Sequence, residues 1–340
     1  MQITLIILIM AFVLTACYSQ NINRTDQSEL SKFAPKPLYR DPIYDGAADP
    51  SVIWNQREKR WFMFYTNRRA NVEGLEGVQW VHGTPIGIAE SEDGGATWRY
   101  RQNAIIKMPE SNPTYWAPDV IATENEYHMF LTVVPGIFNN WNHPRKIMQL
   151  SSDDLINWRY IATLQLNSDR VIDAEVVSLP QGGYRLFYND EPDGKSIYYA
   201  DSKDLYSWED RGKVNMQSRG EGPAVFYWRD FWWMMIDSWS GLSVFRSRDL
   251  QTWQPQSYRL LEQPGQGGDD QVKGGHADVV ISDDRAYLFY FTHPGRTIKA
   301  TGRDDYTTRR SSIQVTELQI KDAWLTCDRN LSIPIHLQPK

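Results

Sequence analysis

One short segment recurs five times in this chain, and that recurrence constrains the fold more than any other feature. The copies read Asp49-Pro-Ser-Val-Ile, Ala117-Pro-Asp-Val-Ile, Asp173-Ala-Glu-Val-Val, Gly222-Pro-Ala-Val-Phe and His276-Ala-Asp-Val-Val, 49 to 68 residues apart. Each precedes an aromatic-rich run, at 60–66, 126–132, 184–189, 231–237 and 286–292. Their β-branched and aromatic residues, bounded by turn residues, predict a second strand after the first. A third strand and a turn signature follow: Ser91-Glu-Asp to Trp98, Ser152-Asp-Asp to Trp158, Ser202-Lys-Asp to Trp208 and Ser247-Arg-Asp to Trp253. Ser and Asp side chains bond turn amides and Trp covers the adjacent sheet, so this signature is structural. The fifth unit lacks it and supplies 313–318 and 324–327 as its last strands. Units of about 50 residues with about four strands each predict an all-β, five-bladed β-propeller, a single domain over 38–340.

Of the 340 residues 41% are hydrophobic and 13% aromatic, enough for a large core and unlike a disordered chain. The formal net charge of −6 lacks the basic footprint of a nucleic-acid binder. Residues 3–16 are almost wholly apolar, a length that suits a signal-peptide core better than a membrane span. Leu14-Thr15-Ala16-Cys17 resembles the lipobox of bacterial lipoproteins. That resemblance implies cleavage before Cys17, acylation of its thiol, and an exported protein held on a bacterial membrane, on the periplasmic or cell-surface side. The leader has no Lys or Arg, and a plain secretory signal is the alternative. The expected organisation is a leader over 1–17, a polar tether over 18–37, then the propeller. With Cys17 acylated, Cys327 stands alone and no structural disulfide is expected.

The first strands of a propeller ring its axis, so the residues that open them converge. Here they contribute Asp49, Asp119, Asp173 with Glu175, Glu221 and His276. Carboxylates gathered around one cavity repel and lose hydration unless they are paired or used. Two carboxyl groups with separated proton affinities are what hydrolysis of a glycosidic bond requires. The alternative is structural: Asp49 and Asp173 as loop caps, Asp119 and Glu175 as ties between blades.

In order and spacing, Ala48-Asp49-Pro-Ser-Val, Trp116-Ala-Pro-Asp, Ile172-Asp173, Glu221-Gly-Pro and Gly275-His276 resemble glycoside hydrolase family 43. Its relatives, families 32, 62, 68, 117 and 130, share the five-bladed propeller. The resemblance implies an inverting hydrolase with Asp49 as general base, Glu221 as general acid and Asp173 as modulator of the acid. The two reacting carboxyls would then stand ~6.5–9.5 Å apart. It also implies that His276 holds water or, through water, a calcium ion in the channel, no cofactor being required for the chemistry. Blade three departs from the family pattern with Asp173-Ala-Glu175. The segment 71–86, containing His82, resembles family 117, which makes His82 a candidate substrate contact.

Loops after the second strands add Arg68, Trp141 and Trp239 as candidate sugar contacts, alongside Glu175 and Asp119. Aromatic faces stack on sugars and Arg binds carboxylate or sulfate. The six His show no zinc spacing, and no phosphate loop or Ser or Cys nucleophile motif occurs. The expected function is an exported, exo-acting glycoside hydrolase acting on plant or algal oligosaccharides. The segments 71–86 and 263–275 would wall one end of the cleft. The alternatives are a non-catalytic glycan-binding lipoprotein and a phosphorylase like family 130.

Overall fold

The computed structural model of the protein describes residues 32–216 and 219–339. Cys17, the leader and residues 18–31 of the tether lie outside the described residues. Five antiparallel sheets follow one another along the chain as the five blades of a β-propeller. Their inner strands are Ala47–Asn55, Thr114–Ala122, Val171–Ser178, Glu221–Trp228 and Gly274–Ser282. Each pairs with the next strand in sequence, and so outward to the blade's edge. Blade two carries a fifth strand, Ile105–Lys107, parallel to its outer edge.

The recurring segment turns out to be a β-bulge. In every blade the ladder between first and second strands shifts register there. The first residue of each copy, Asp49, Ala117, Asp173, Gly222 or His276, has a positive φ of 35° to 57°. Non-glycine residues rarely adopt that backbone, and a bulge is where a strand bends and re-aims a side chain. In blade four the position is glycine for a visible reason. A Cβ on Gly222 would lie 2.5 Å from Nδ1 of His276. The acid of that blade, Glu221, therefore stands one residue earlier than Asp49 and Asp173 in theirs.

In four of the five copies the third residue joins neighbouring blades. Ser51 Oγ accepts from Val120 N (3.1 Å), Asp119 Oδ2 from Val176 N (2.8 Å), Glu175 Oε1 from Val225 N (3.2 Å) and Asp278 Oδ2 from Val52 N (2.7 Å). Blade four has Ala224 here, which brings no acceptor. Burial, and the mutual repulsion of Asp119, Glu175 and Asp278, raise the Asp119 and Glu175 carboxyls well above the ordinary range. Raised carboxyls hold protons, which lets acidic groups share a dry axis.

Apolar faces meet between blades, each cluster drawing on two neighbours. Phe62, Phe64 and Ile88 of blade one pack on Met129, Leu131 and Trp158 of blade two. Phe64 and Trp158 meet edge to face at 5.7 Å. Burying one such ring contributes ~1.5–3 kcal/mol, so seams rich in Phe and Trp hold the ring together. The turn signature behaves as its chemistry predicts. Asp154, Asp204 and Asp249 each accept two backbone N–H groups at 2.8–2.9 Å, with a Ser hydroxyl on the same carboxylate.

The expected tether boundary needs correction. Lys32–Phe33 already pairs with Pro334–Ile335, and Ala34 and Leu38 are buried. Backbone pairing and apolar burial thus bring the chain into the fold from residue 32. Beyond that short strand the C-terminal segment spans blades one and five, with Trp61 Nε1 donating to Leu337 O and Gln338 N to Ser282 Oγ. Blade five also carries the long connection 293–311, with a short helix at Tyr306–Arg309 capped by Asp305.

Candidate active site

The bulges bring one end of the inner strands to a cavity of about 500 Å³. Asp49, Asp173, Glu221 and His276 line it together, from four different blades. Asp49 and Asp173 are nearly inaccessible, whereas the Glu221 side chain retains 26% of its exposure, so Glu221 is the acid a solute reaches first. Arg68 grips Asp49 through both oxygens, Nη2 at 3.0 and 3.1 Å. Nδ1 of His276 lies 3.5 Å from Asp49 Oδ1. Burial acts to raise the Asp49 carboxyl, but Arg68, His276 and the Thr66 hydroxyl outweigh it and hold it below its ordinary value. Asp49 is therefore a carboxylate at neutral pH. Asp173 goes the other way. Burial pushes its carboxyl up to about 7, with Glu221 and Asp49 adding repulsion that His276 and Lys195 only partly offset. Its Oδ2 accepts from Gly222 N at 3.0 Å, fixing it against the strand that carries Glu221. Asp49 and Asp173 thus differ in proton affinity, one charged and the other holding its proton more tightly within a single cavity.

Cations hold these acids in place. Arg68 also bonds His293 Nε2 at 2.9 Å, while His293 Nδ1 faces the Arg310 carbonyl at 2.9 Å. Burial, and then Arg296 and Arg68, keep His293 neutral, so the ring donates through Nδ1 and accepts from Arg68. Lys195 lies 2.9 Å from Glu221 Oε2 and 2.8 Å from Glu191 Oε1, and caps the Trp239 ring at 5.5 Å. Arg145, buried beneath Trp116, bonds Glu191 and the Trp141 carbonyl.

Among the expected sugar contacts, Arg68, Trp141 and Trp239 line the cavity; Trp141 and Trp239 are partly exposed at its mouth. His82, Asp119 and Glu175 do not line it. His82 is fully buried behind the wall, edge-on to Trp116 at 5.2 Å and Phe138 at 5.9 Å, with Thr114 Oγ1 at 3.4 Å. Burial and Arg145 push it down to about 4, so it stands as a neutral ring supporting the aromatic wall. Asp119 and Glu175 are the blade ties described above. The sequence reading does not single out Asp237, Lys195, Lys273, Arg145 or Arg296. For Asp237 the signal exists in the repeat. It closes its aromatic run (231–237) as Thr66 and Thr132 close theirs (60–66 and 126–132), and like them it accepts from the next blade's bulge, His276 N at 3.1 Å. Burial and then Glu221 raise this carboxyl to about 6. Gly275 passes so close that a Cβ there would lie 2.1 Å from Asp237 Oδ2.

A calcium ion at His276 requires free oxygen ligands, and the surrounding oxygens are engaged. Asp49 is held by Arg68, Asp173 by Gly222 N, and Asp237 by the amides of His276 and Trp239. Among the described residues no three His, Cys, Asp or Glu side chains are arranged to hold a metal ion. Direct ligation does not fit this donor set.

Comparison with known proteins agrees with this architecture. Residues 38–268 match the model of the family 43-related glycosyl hydrolases, described as a probable glycosyl hydrolase domain. The chain belongs to that family, and its class is glycoside hydrolase. Among solved structures it is similar to a thermostable family-43 glycoside hydrolase (17% identity, TM-score 0.62, 88% of this chain and 98% of that one). It is also similar to a family-43 β-1,3-galactosidase solved with galactodeoxynojirimycin (14% identity, TM-score 0.62, 86% and 97%). A third is a xylan β-1,4-xylosidase from Bacillus halodurans C-125 (16% identity, TM-score 0.60, 88% and 60%). At such identities these likenesses speak to the fold. No curated protein matches the chain.

Proposed function

We propose that this protein is an inverting, exo-acting glycoside hydrolase with Asp49 as general base, Glu221 as general acid and Asp173 as the group that tunes and orients the acid. The observation that carries this reading is the meeting of a charge-held carboxylate, a proton-retaining one and a reachable one in a single cavity. In the reaction Asp49 takes a proton from water as the water attacks the anomeric carbon. The bond from that carbon to the leaving oxygen breaks, and Glu221 delivers its proton to the oxygen. One displacement inverts the anomeric configuration. Trp141 and Trp239 at the mouth supply faces for sugar stacking. The exo preference rests on the walls formed by Trp80 and Val81 of the segment 71–86, and on Val272 to Gly275 at the end of 263–275. Purified protein incubated with plant and algal oligosaccharides should release sugar from the non-reducing end, with the α/β signature of the first-formed product inverted by NMR. No product from any glycan, with saturable glycan binding, would favour a pure binding protein instead.

The role given to Asp173 predicts a pH effect. Once Asp173 has lost its proton, above about pH 7, its negative charge beside the general acid favours the acid's protonated form. Asp173→Asn removes that charge, so the basic limb of the kcat/KM profile should move to lower pH by about one unit or more, with the acidic limb in place. A uniform drop in rate at every pH would assign Asp173 a purely structural part. Export as a lipoprotein belongs to the same proposal, supported by the apolar run 3–16 and Leu14-Thr15-Ala16-Cys17. Full-length protein expressed in bacteria should incorporate labelled palmitate, and Cys17→Ser should not.

A further inference from the structure

Beside the main cavity lies a smaller hollow of about 140 Å³, and the two share Arg68, Glu221, Trp239 and Arg296. Lys273 and Asp237 belong to the smaller one alone. Nearly every charged group in this pair of hollows has its counterpart. Arg68 holds Asp49, Lys195 bridges Glu191 and Glu221, Arg145 holds Glu191, and Asp237 accepts the His276 and Trp239 amides. The Lys273 ammonium donates to the Trp239 carbonyl.

Arg296, like Lys273, meets a backbone carbonyl and no carboxylate. Its Nε donates to Thr308 O at 3.0 Å and its guanidinium lies 5.5 Å from the centre of the Trp80 ring. No carboxylate among the described residues lies within ion-pair distance of it. Asp304, which acts on it electrostatically, is already held by Arg309 Nε and Nη2, at 2.7 and 2.8 Å. Among the described residues the two terminal nitrogens of Arg296 meet no hydrogen-bond acceptor, in a site where two further cations, Arg68 and Lys273, stand close by. Arg296 is exposed, so its terminal nitrogens are open to an incoming anion, and an anion bound there would offset the repulsion among Arg296, Arg68 and Lys273. The forked donors of Arg match the paired oxygens of a carboxylate or a sulfate.

We propose that Arg296, with Lys273 beside it, is the receptor for an anionic substituent, a carboxylate or a sulfate ester, on the sugar bound next to Asp49 and Glu221. The placement of the sugar rests on the glycosidase reading; recognition of the anion does not, and it can be read without turnover. The tryptophans around the cavity allow a fluorescence titration of wild type, Arg296→Gln and Lys273→Met. Inorganic sulfate is the first probe, followed by galactose, galacturonate and galactose 6-sulfate. Wild type should bind sulfate saturably, and Arg296→Gln should weaken it at least tenfold, Lys273→Met by a smaller factor. Of the three sugars, whichever anionic one binds more tightly than galactose in wild type should lose that preference in Arg296→Gln, and the galacturonate and sulfate-ester arms separate the two sources. Absence of saturable sulfate binding, or binding that Arg296→Gln leaves unchanged, would overturn the proposal. So would release of a glycosyl phosphate from a neutral oligosaccharide and phosphate, lost in Arg296→Gln, which would give the pocket to free phosphate. If Arg296→Gln fails to fold, Lys273→Met alone decides: at least a threefold loss of sulfate affinity supports the proposal, and no loss overturns it. Failure to hydrolyse any glycan would strike the catalytic reading and leave the anion titration standing.

Discussion

Asp49→Asn and Glu221→Gln are each expected to lower kcat by about 10²–10⁴-fold while the circular dichroism spectrum and thermal midpoint stay close to wild type. Both replacements keep the shape of the side chain. The amide of Asp49→Asn retains an oxygen for Arg68, and that of Glu221→Gln retains one for Lys195. The geometry therefore survives while the proton chemistry does not. The two losses should differ in kind. An aryl glycoside whose leaving group needs no protonation should restore much of the turnover of Glu221→Gln. It should do nothing for Asp49→Asn, where the attacking water is no longer deprotonated. Unchanged turnover in both variants would remove these residues from the reaction.

The second large effect concerns the loop that ends in Lys273 and Gly275. Asp270 is fully buried and held by Arg329, Nε at 3.0 Å with Nη2 on the other oxygen, and by the Tyr290 hydroxyl at 3.1 Å. Arg329 also donates to the carbonyls of Gln263 and Leu261. Arg329→Met leaves the buried Asp270 carboxylate without its ion-pair partner, which in such settings costs about 3–5 kcal/mol. Urea unfolding should show that loss. The double variant with Asp270→Asn should recover a large part of it, because the stranded charge is gone. A single variant within about 1 kcal/mol of wild type would mean that the pair contributes little to holding the loop.

The propeller is legible in the chain because its repeats carry local chemistry. The bulge segments, the aromatic second strands and the Ser-x-Asp turns each fold by short-range rules, and five copies in register leave one architecture. Asp49, Asp173, Glu221 and His276 are legible for the same reason, since a bulge at each strand opening aims them at the same hollow. What the chain conceals depends on direction within a strand. Asp119 and Glu175 stand two residues beyond the bulge, and that offset sends their carboxyls to the next blade's amides. His82 reads as a contact from sequence because it lies in an insertion without a repeat to set its depth; in the fold Trp116 and Phe138 cover it. Arg296 comes from the long connection of blade five, where no other copy marks the position. Asp237 is readable in principle, by asking why one of the five aromatic runs closes on an acid.

The ring of side-chain ties has a consequence for how this molecule loosens. Ser51, Asp119, Glu175 and Asp278 brace four joints near the axis; between blades four and five Ala224 brings no such group, and Asp237 on the His276 amide and Trp228 Nε1 on the Asp284 carbonyl tie the joint instead. Glu221 and His276 flank that joint. In an Asp237→Ala variant warming should therefore part these two before any sheet melts, so that heat silences the molecule while its strands still stand.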